Sequence, residues 1–337
     1  MRRGLDGFAG EAEKQLRYFE TRNIPVYARV LRDVARLAET DPSVRGALER
    51  AWGKREFSVE YERPLLLLAA IRHDALADPR HPLARALAVE PNASDIEDDA
   101  LRDALAPGRT AIESLETRFV QTNEVTRAIA WRLPLGRWEN EAGIALVDLG
   151  CSAALNLVAD RLALTWTDDT GKAIALARTS GVCTRIGLDR APIDARDPKE
   201  RAWLRACLWP GQSERHARLQ DALTEAARAV ENGEIDLVRV DANEMPDRLE
   251  EIAHRARYLL AFQTIFVEYL TGAERAEYEQ KMRAFVHRHA DRALWAELER
   301  APEGQPGPAQ LRLTTARGSR VLASCEFHPT SLKRFGP

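Results

Sequence analysis

Strand-like sequence is confined to the second part of this chain, and that asymmetry limits the possible architecture more than any other feature. No run before residue 140 reads as a strand, whereas short apolar runs recur after Gly143. The first is Gly143-Ile-Ala-Leu-Val-Asp-Leu-Gly150. Val182 to Leu188 ends at Asp189, and Ile235 to Val240 ends at Asp241; Tyr258 to Thr264 and Ala293 to Glu297 follow. Sequence of helical composition lies between them, at Ala153 to Leu162, Pro198 to Leu208, Gln212 to Asn232, Met245 to Arg257 and Ala273 to Ala290. Strands alternating with helices specify parallel β-α-β units and a doubly wound sheet. Leu311 to Thr315 and Arg320 to Phe327 then flank Gly318 as a hairpin, which adds an antiparallel strand.

The first part has a different period. Leu16, Phe19, Ile24, Tyr27, Val30, Leu31, Val34 and Leu37 recur at threes and fours, the apolar face of amphipathic helices. Pro25 suits the first turn of the second of these. Asp41-Pro42-Ser43 is a break and a new start, and Val59 to Leu76 is the candidate for a helix buried in the core. Pro79, Pro82, Pro91 and Pro107-Gly108 punctuate the rest. With 337 residues the chain has room for two domains. The expected division is a helical domain over 1–108, serving as scaffold or lid, and an α/β domain over 109–337.

Composition removes several classes of function. Lys+Arg 49 against Asp+Glu 52 rules out a basic nucleic-acid grip spread over the whole chain, and no basic stripe is interleaved with aromatics. The longest apolar run, Leu65 to Ile71, is far short of the roughly 20 residues that cross a bilayer. Cys151, Cys183, Cys207 and Cys325 contain no C-x-x-C pair, and no metal-ligand cluster is read. His287-Arg-His289 does not qualify, because i and i+2 on a helix diverge. The polar N-terminus carries no apolar signal core, so the cytoplasm is expected. The oligomeric state is left open.

In an open α/β sheet the ligand lies beyond the carboxyl ends of the strands. After the first strand come Asp148-Leu-Gly150-Cys-Ser152-Ala-Ala154-Leu-Asn156, where a glycine permits a tight turn under a nucleotide-like ligand. Asp189 after the second strand suits ribose hydroxyls, and Asp241 after the third suits an adenine amino group. The distance from Gly150 to Asp189 exceeds a minimal β-α-β unit. Either Leu162 to Gly181 is an inserted hairpin or Asp168 is the strand-end acid; Asp189 is favoured because Gly-x-Asp follows a β-branched strand. Gln121-Thr-Asn-Glu-Val-Thr-Arg127 is unusually polar. Thr122 or Asn123 there can cap a helix with Glu124 favouring its dipole, or Gln121, Asn123, Glu124 and Arg127 can face a ligand. Cys151 reads as a small packing residue. His328, just after the last strand, can overhang the cleft.

The order of Gln121-Thr-Asn-Glu-Val-Thr-Arg127, Asp-x-Gly-x-Ser-Ala-x-Leu-Asn156, Gly187-x-Asp189-x-x-Pro192 and Trp209-Pro-x-Gln212-x-x-Arg215-x-x-Arg218-Leu219 resembles the bacterial family catalogued as domain of unknown function 2332. The resemblance covers nearly the whole chain and implies a Rossmann-like, methyltransferase-type mainly parallel sheet with a C-terminal antiparallel hairpin behind an all-helical N-terminal domain. It implies S-adenosylmethionine as cofactor, bound by Gln121, Asp148, Gly150, Ser152, Asn156, Asp189, Asp241 and Gln263. Ser152 and Ala154 replace glycines of the usual Gly-x-Gly-x-Gly, and Gln263-Thr264 stands where a His-Ser pair is expected.

The leading expectation is methyl transfer to a small-molecule substrate, with Glu124 as first candidate base, His328 second, and Asn123 and Arg127 beside them. The alternative is a non-catalytic ligand-binding or regulatory protein on a degenerate methyltransferase-like fold, which the lost glycines favour. A nicotinamide enzyme is disfavoured by the single Gly150 and the closing hairpin. Neither nucleic acid nor membrane is expected as a partner.

Overall fold

The three-and-four period of the first part folds into helices at the expected places. In the computed structural model, which describes residues 3–57, 59–91, 96–121 and 123–335, they are α1 (Phe8–Thr21), α2 (Pro25–Thr40), α3 (Pro42–Trp52), α4 (Glu62–Ala77), α5 (Asp98–Ala104) and α6 (Thr110–Thr117). Pro25 opens α2, and Asp41 caps α3 by accepting the Ser43 N–H at 2.9 Å. The second part then gives α7 (Ile129–Arg132), β1 (Ile144–Leu149), β2 (Thr167–Asp168), β3 (Val182–Asp189), α8 (Pro198–Cys207), α9 (Ser213–Glu231), β4 (Asp236–Arg239), α10 (Met245–Ala253), β5 (Tyr258–Thr264), α11 (Gly272–His289), β6 (Ala293–Arg300), β7 (Ala309–Thr315), β8 (Gly318–Cys325) and β9 (Ser331–Arg334). Among the described residues no helix is long and apolar enough to cross a membrane.

Contacts divide the chain into two units, Met1–Asn123 with Asp197–Leu219, and Glu124–Arg196 with Gln220–Pro337. In the helical unit α8 has left its place in the chain order: Trp203 is buried in the core formed by Val30, Leu31, Leu66 and Leu101. Arg72 of α4 holds it there. Its fully buried guanidinium donates to the carbonyls of Leu87 at 2.9 Å and Leu208 at 2.7 Å, and also to that of Arg205. These last two carbonyls lie at the end of α8, where a cation is favoured; that of Arg205 also accepts the Leu208 N–H at 3.3 Å.

The other unit is an α/β sheet of nine strands in the order β2-β9-β8-β7-β6-β5-β1-β3-β4. The run β4-β3-β1-β5-β6 is parallel throughout, while β6, β7, β8 and β9 form an antiparallel meander. The hairpin over Gly318 thus extends the sheet outward from β6, and β9 carries it one strand further to β2. β1 is buried at every position, as a strand covered on both faces must be. Ala145, Val147 and Leu149 point toward Met245, Tyr278, Met282 and Phe285 of α10 and α11. The opposite face of the sheet is covered by α7, whose Trp131 lies 6.4 Å from Phe262.

The Leu162–Gly181 region is an inserted hairpin. Asp168 N–H meets the Lys172 carbonyl at 2.8 Å, Asp168 Oδ1 accepts from Thr170 and Lys172, and β2 pairs with β9 at the far edge of the sheet. Asp168 is therefore a turn residue, and the acid at the end of the strand beside β1 is Asp189.

The Arg72 clamp gives a direct expectation. Arg72→Met leaves buried carbonyls without a donor, at roughly 1–3 kcal/mol each, so thermal unfolding followed by circular dichroism should show a loss of several kcal/mol. Arg72→Lys should recover only part of it, since an ammonium cannot span three carbonyls in a fixed fork.

Candidate functional site

The chain steps from β1 through β3 to β4 on one side and then to β5 and β6 on the other, so the direction of travel reverses at β1. A crevice at the carboxyl ends of the strands is expected at such a point. What stands there is the turn Gly150–Ala154. Gly150 has φ +77°, Ser152 +49° and Ala154 +55°. The left-handed backbone that glycines would accept is thus kept at alternate positions, with glycine only at the first.

Two groups set this turn. Asp189 Oδ2 accepts the Ser152 N–H at 2.9 Å, and its Oδ1 accepts the Ala191 N–H at 2.8 Å, so the acid ties the end of β3 to the turn after β1. On the other side is Phe266, whose Cδ2 lies only 2.4 Å from where a Cβ on Gly150 would sit. Glycine is required here for the positive φ and for the Phe266 ring. The tight turn expected at Gly150 is present, and the side a Cβ would occupy faces Phe266. Cys151 is buried, its thiol pushed well up by burial, and Gly187 makes room for its Sγ. It is a packing residue.

Around the turn lie buried polar atoms with no partner: Asp148 Oδ2, Ser152 Oγ and Asn156 Oδ1. Burial, with Asp189 nearby, holds the Asp148 carboxyl well above the usual carboxylate range. Asn156 is the second residue of the 3₁₀ helix Leu155–Arg161, which lies in the stretch of helical composition, and its carbonyl accepts the Trp131 indole N–H at 2.9 Å. Against that helix packs a second 3₁₀ helix, Val125–Ala128. Its cap is Glu124, which accepts the Thr126 N–H at 3.3 Å. The segment does start a helix, but Glu124 rather than Asn123 is its cap, which corrects the expected capping residue. Thr122 lies outside the described residues. Thr126 Oγ1 is a further buried atom without a partner. Arg127 Nε donates to the Phe327 carbonyl at 2.8 Å, next to half-buried His328.

Glu124, Arg127, Asn156 and His328 are thereby drawn into one region of the sheet unit, with Asp148, Gly150, Ser152 and Asp189 at the adjoining turn. Gln121 and Asn123 belong to the helical unit, because the division falls between Asn123 and Glu124. Asp241 is exposed, and its carbonyl starts the 3₁₀ helix Ala242–Glu244 that leads into α10. Nearby Asn243, not singled out from the sequence, has a buried Oδ1 without a partner.

Gln263 sits elsewhere. Fully buried on the α11 side, it accepts from Tyr278 Oη at 2.5 Å and Trp295 Nε1 at 3.1 Å and donates to Glu299 at 3.0 Å. Its amide is occupied, which corrects its expected contact with a cofactor. Glu297 and Glu299 were not legible as special: they are two of many acids until β6 turns both toward α11. Burial pushes Glu297 up to about 8 and Glu299 up to about 7. A shallow hollow of about 460 Å³, lined by Pro192, Asp194, Arg196, Val230, Ile235 and Arg239 among others, lies along edge strand β4 rather than at the turn. Among the described residues no group of three His, Cys, Asp or Glu side chains is placed to hold a metal ion.

A family model described as an uncharacterized protein conserved in bacteria, DUF2332, matches residues 11–334. No curated protein and no solved structure matches the chain.

Two outcomes test this geometry. Gly150→Ala meets both strain and the Phe266 ring and should cost more than about 2 kcal/mol, whereas Ala154→Gly relieves strain at an entropic cost and should stay within about 1 kcal/mol of wild type in denaturant unfolding. The second concerns Glu297. Its folded carboxyl, raised from 4.5 to about 8, binds a proton at pH values where the unfolded chain has lost it. Stability should therefore fall as pH rises through that window. Glu297→Gln should melt a few degrees above wild type at pH 9 and converge with it near pH 5.

Proposed function

The chain belongs to the bacterial family DUF2332, and on that frame we propose that it binds S-adenosylmethionine at the carboxyl ends of β1 and β3 and transfers the methyl group to a small-molecule acceptor. In this reading the α/β sheet is of the Rossmann-like, methyltransferase type. The observation that carries the proposal is the set of buried, unpartnered polar atoms at a strand-end turn and on the 3₁₀ helices beside it, Asp148 Oδ2, Ser152 Oγ, Asn156 Oδ1 and Thr126 Oγ1. Polar groups out of water without partners cost free energy, and a polar ligand would repay it.

The ligand class follows from the turn. Each Asp189 oxygen spends one lone pair on a backbone N–H and retains another for a ribose hydroxyl. A pyrophosphate needs close backbone approach at a glycine, and Phe266 already fills that space at Gly150. A nucleoside without phosphates fits better than a dinucleotide, which supports S-adenosylmethionine over a nicotinamide cofactor.

A bound S-adenosylmethionine would supply an electrophilic methyl group on a sulfonium. The chain's own contribution is to hold donor and acceptor in line and to keep water out. Where the acceptor must lose a proton, Glu124 and His328 are the titratable candidates. Glu124 already spends one oxygen as a helix cap, which specifically favours a second reading, a ligand-binding protein without turnover.

Ser152→Ala separates ligand binding from folding, because Ser152 Oγ bonds to nothing in the free protein. The variant should melt at or slightly above the wild-type temperature. Calorimetric titration with S-adenosylhomocysteine should weaken by about tenfold, the value of one hydrogen bond to a buried group. Wild-type protein that binds NADH but neither S-adenosylmethionine nor S-adenosylhomocysteine would overturn the proposal. Binding without methyl transfer to any nucleophilic acceptor would select the second reading.

A further inference from the structure

The corner after β5 combines a backbone outlier, a buried carboxylate and the ring that sets the Gly150 turn. Ile265 has φ +50°, a left-handed conformation in which a β-branched side chain is a rare outlier. Such a residue persists only when its surroundings over-determine it. Its own N–H is held by the Leu298 carbonyl at 2.9 Å. The next two N–H groups converge on Glu299 of β6: Phe266 N lies 3.0 Å from Oε1 and 3.2 Å from Oε2, and Val267 N lies 3.4 Å from Oε1. Gln263 Nε2 adds a third donor at 3.0 Å and is itself fixed by Tyr278 and Trp295. The Phe266 ring, edge-on to Tyr278 at 5.4 Å, then occupies the space beside Gly150.

We propose that Glu299 is a positioning residue for the Gly150 turn: its carboxylate clamps the strained Ile265–Phe266 corner, and the Phe266 ring held there is the wall against which the ligand turn is set. The ligand part of this inference rests on the function proposed above; the mechanical part does not. Charge-assisted bonds are about twice as strong as neutral ones, and a carboxylate is the one side-chain group that takes several N–H donors with no donor of its own. Glutamine at 299 would turn one oxygen into an NH₂ facing the Phe266 N–H. Glu297, two residues earlier on the same face, makes no bond to this corner and has an unpartnered Oε2. It is the natural control, an acid on the same face of the same strand but outside the clamp.

The test is amide hydrogen exchange on the full chain without ligand, read at Phe266 and Val267 and at Cys151 and Ser152 of the turn. Glu299→Gln should speed exchange at both places by about tenfold or more, and Glu297→Gln should leave both unchanged. The sharper arm is a double-mutant cycle. Ile265→Gly removes the strain the clamp opposes, so Glu299→Gln made in that background should speed exchange at Cys151 and Ser152 far less than it does alone. Additive effects of the two substitutions, equal effects of Glu297→Gln and Glu299→Gln, or faster exchange at Phe266 with none at Cys151 and Ser152 would each overturn the proposal. If Glu299→Gln folds too poorly to read, Phe266→Leu, which keeps the corner but thins the wall, should speed exchange at Cys151 and Ser152 and not at Val267. Titration with S-adenosylhomocysteine is run in parallel. Wild type that does not bind it rejects the functional reading, while the exchange pattern still decides the role of Glu299.

Discussion

The sheet unit is organised by the two parallel ladders that β1 makes at once, with β3 on one side and β5 on the other. A strand paired on both edges and covered on both faces has no freedom of register: a slip of one residue would exchange Ala145, Val147 and Leu149 for Leu146 and Asp148 on the α11 face. With β1 fixed, the ends of β3 and β5 are fixed beside it. Asp189 and Phe266, one from each neighbour, then reach the same turn from opposite sides. The turn needs few glycines because its conformation is imposed from outside. That is how Ser152 and Ala154 persist in left-handed backbone at a cost of the order of 1 kcal/mol each.

The polar groups of this unit fall into two populations. Gln263, Glu299, Tyr278 and Trp295 satisfy one another and leave little capacity for a ligand. Asp148, Ser152, Asn156 and Thr126 are the reverse, buried with atoms to spare. The first population behaves as a frame, and the second keeps unused hydrogen-bonding capacity. Gln263 and Asn156 look equivalent in the sequence, as carboxamides near strand ends. Only the side chains opposite them decide which population each joins.

Much of the framework was legible because it rests on local pattern. β5 spans the expected Tyr258–Thr264, and β1, β3 and β6 begin where the apolar runs begin, since buried parallel strands advertise themselves as continuous apolar sequence. β9 escaped notice, and β2 was legible only as part of an inserted hairpin over Leu162 to Gly181. Thr167–Asp168 and Ser331–Arg334 carry a single buried apolar side chain between them, Leu332, and become strands only by meeting each other. Ala153 to Leu162 has helical composition, which does not distinguish the 3₁₀ helix found at Leu155–Arg161 from an α-helix. Phe266 and Glu299 were invisible for a different reason. Phe266 meets a glycine more than a hundred positions away and Glu299 meets the backbone N–H of Phe266, and no spacing rule encodes either contact. Asp189 was found because an acid closing a strand is a local signal, but its bonds to Ser152 and Ala191 give it a structural duty the signal does not carry.

The membership of Asp197–Leu219 in the helical unit bears on how the chain is made. Synthesis delivers α1 to α6 first, yet Trp203 and the α8 end that Arg72 caps are translated only after β1, the 3₁₀ segments and β3. Until then the Arg72 guanidinium has lost two of its three acceptors, and the core around Leu66 lacks an aromatic side chain. A nascent chain of this protein must therefore keep its first unit waiting, open to solvent or to a chaperone, while strands of the second unit are already emerging. The insertion delays the first unit until Leu219 has been made, although it still completes before the second, which needs Gln220–Pro337.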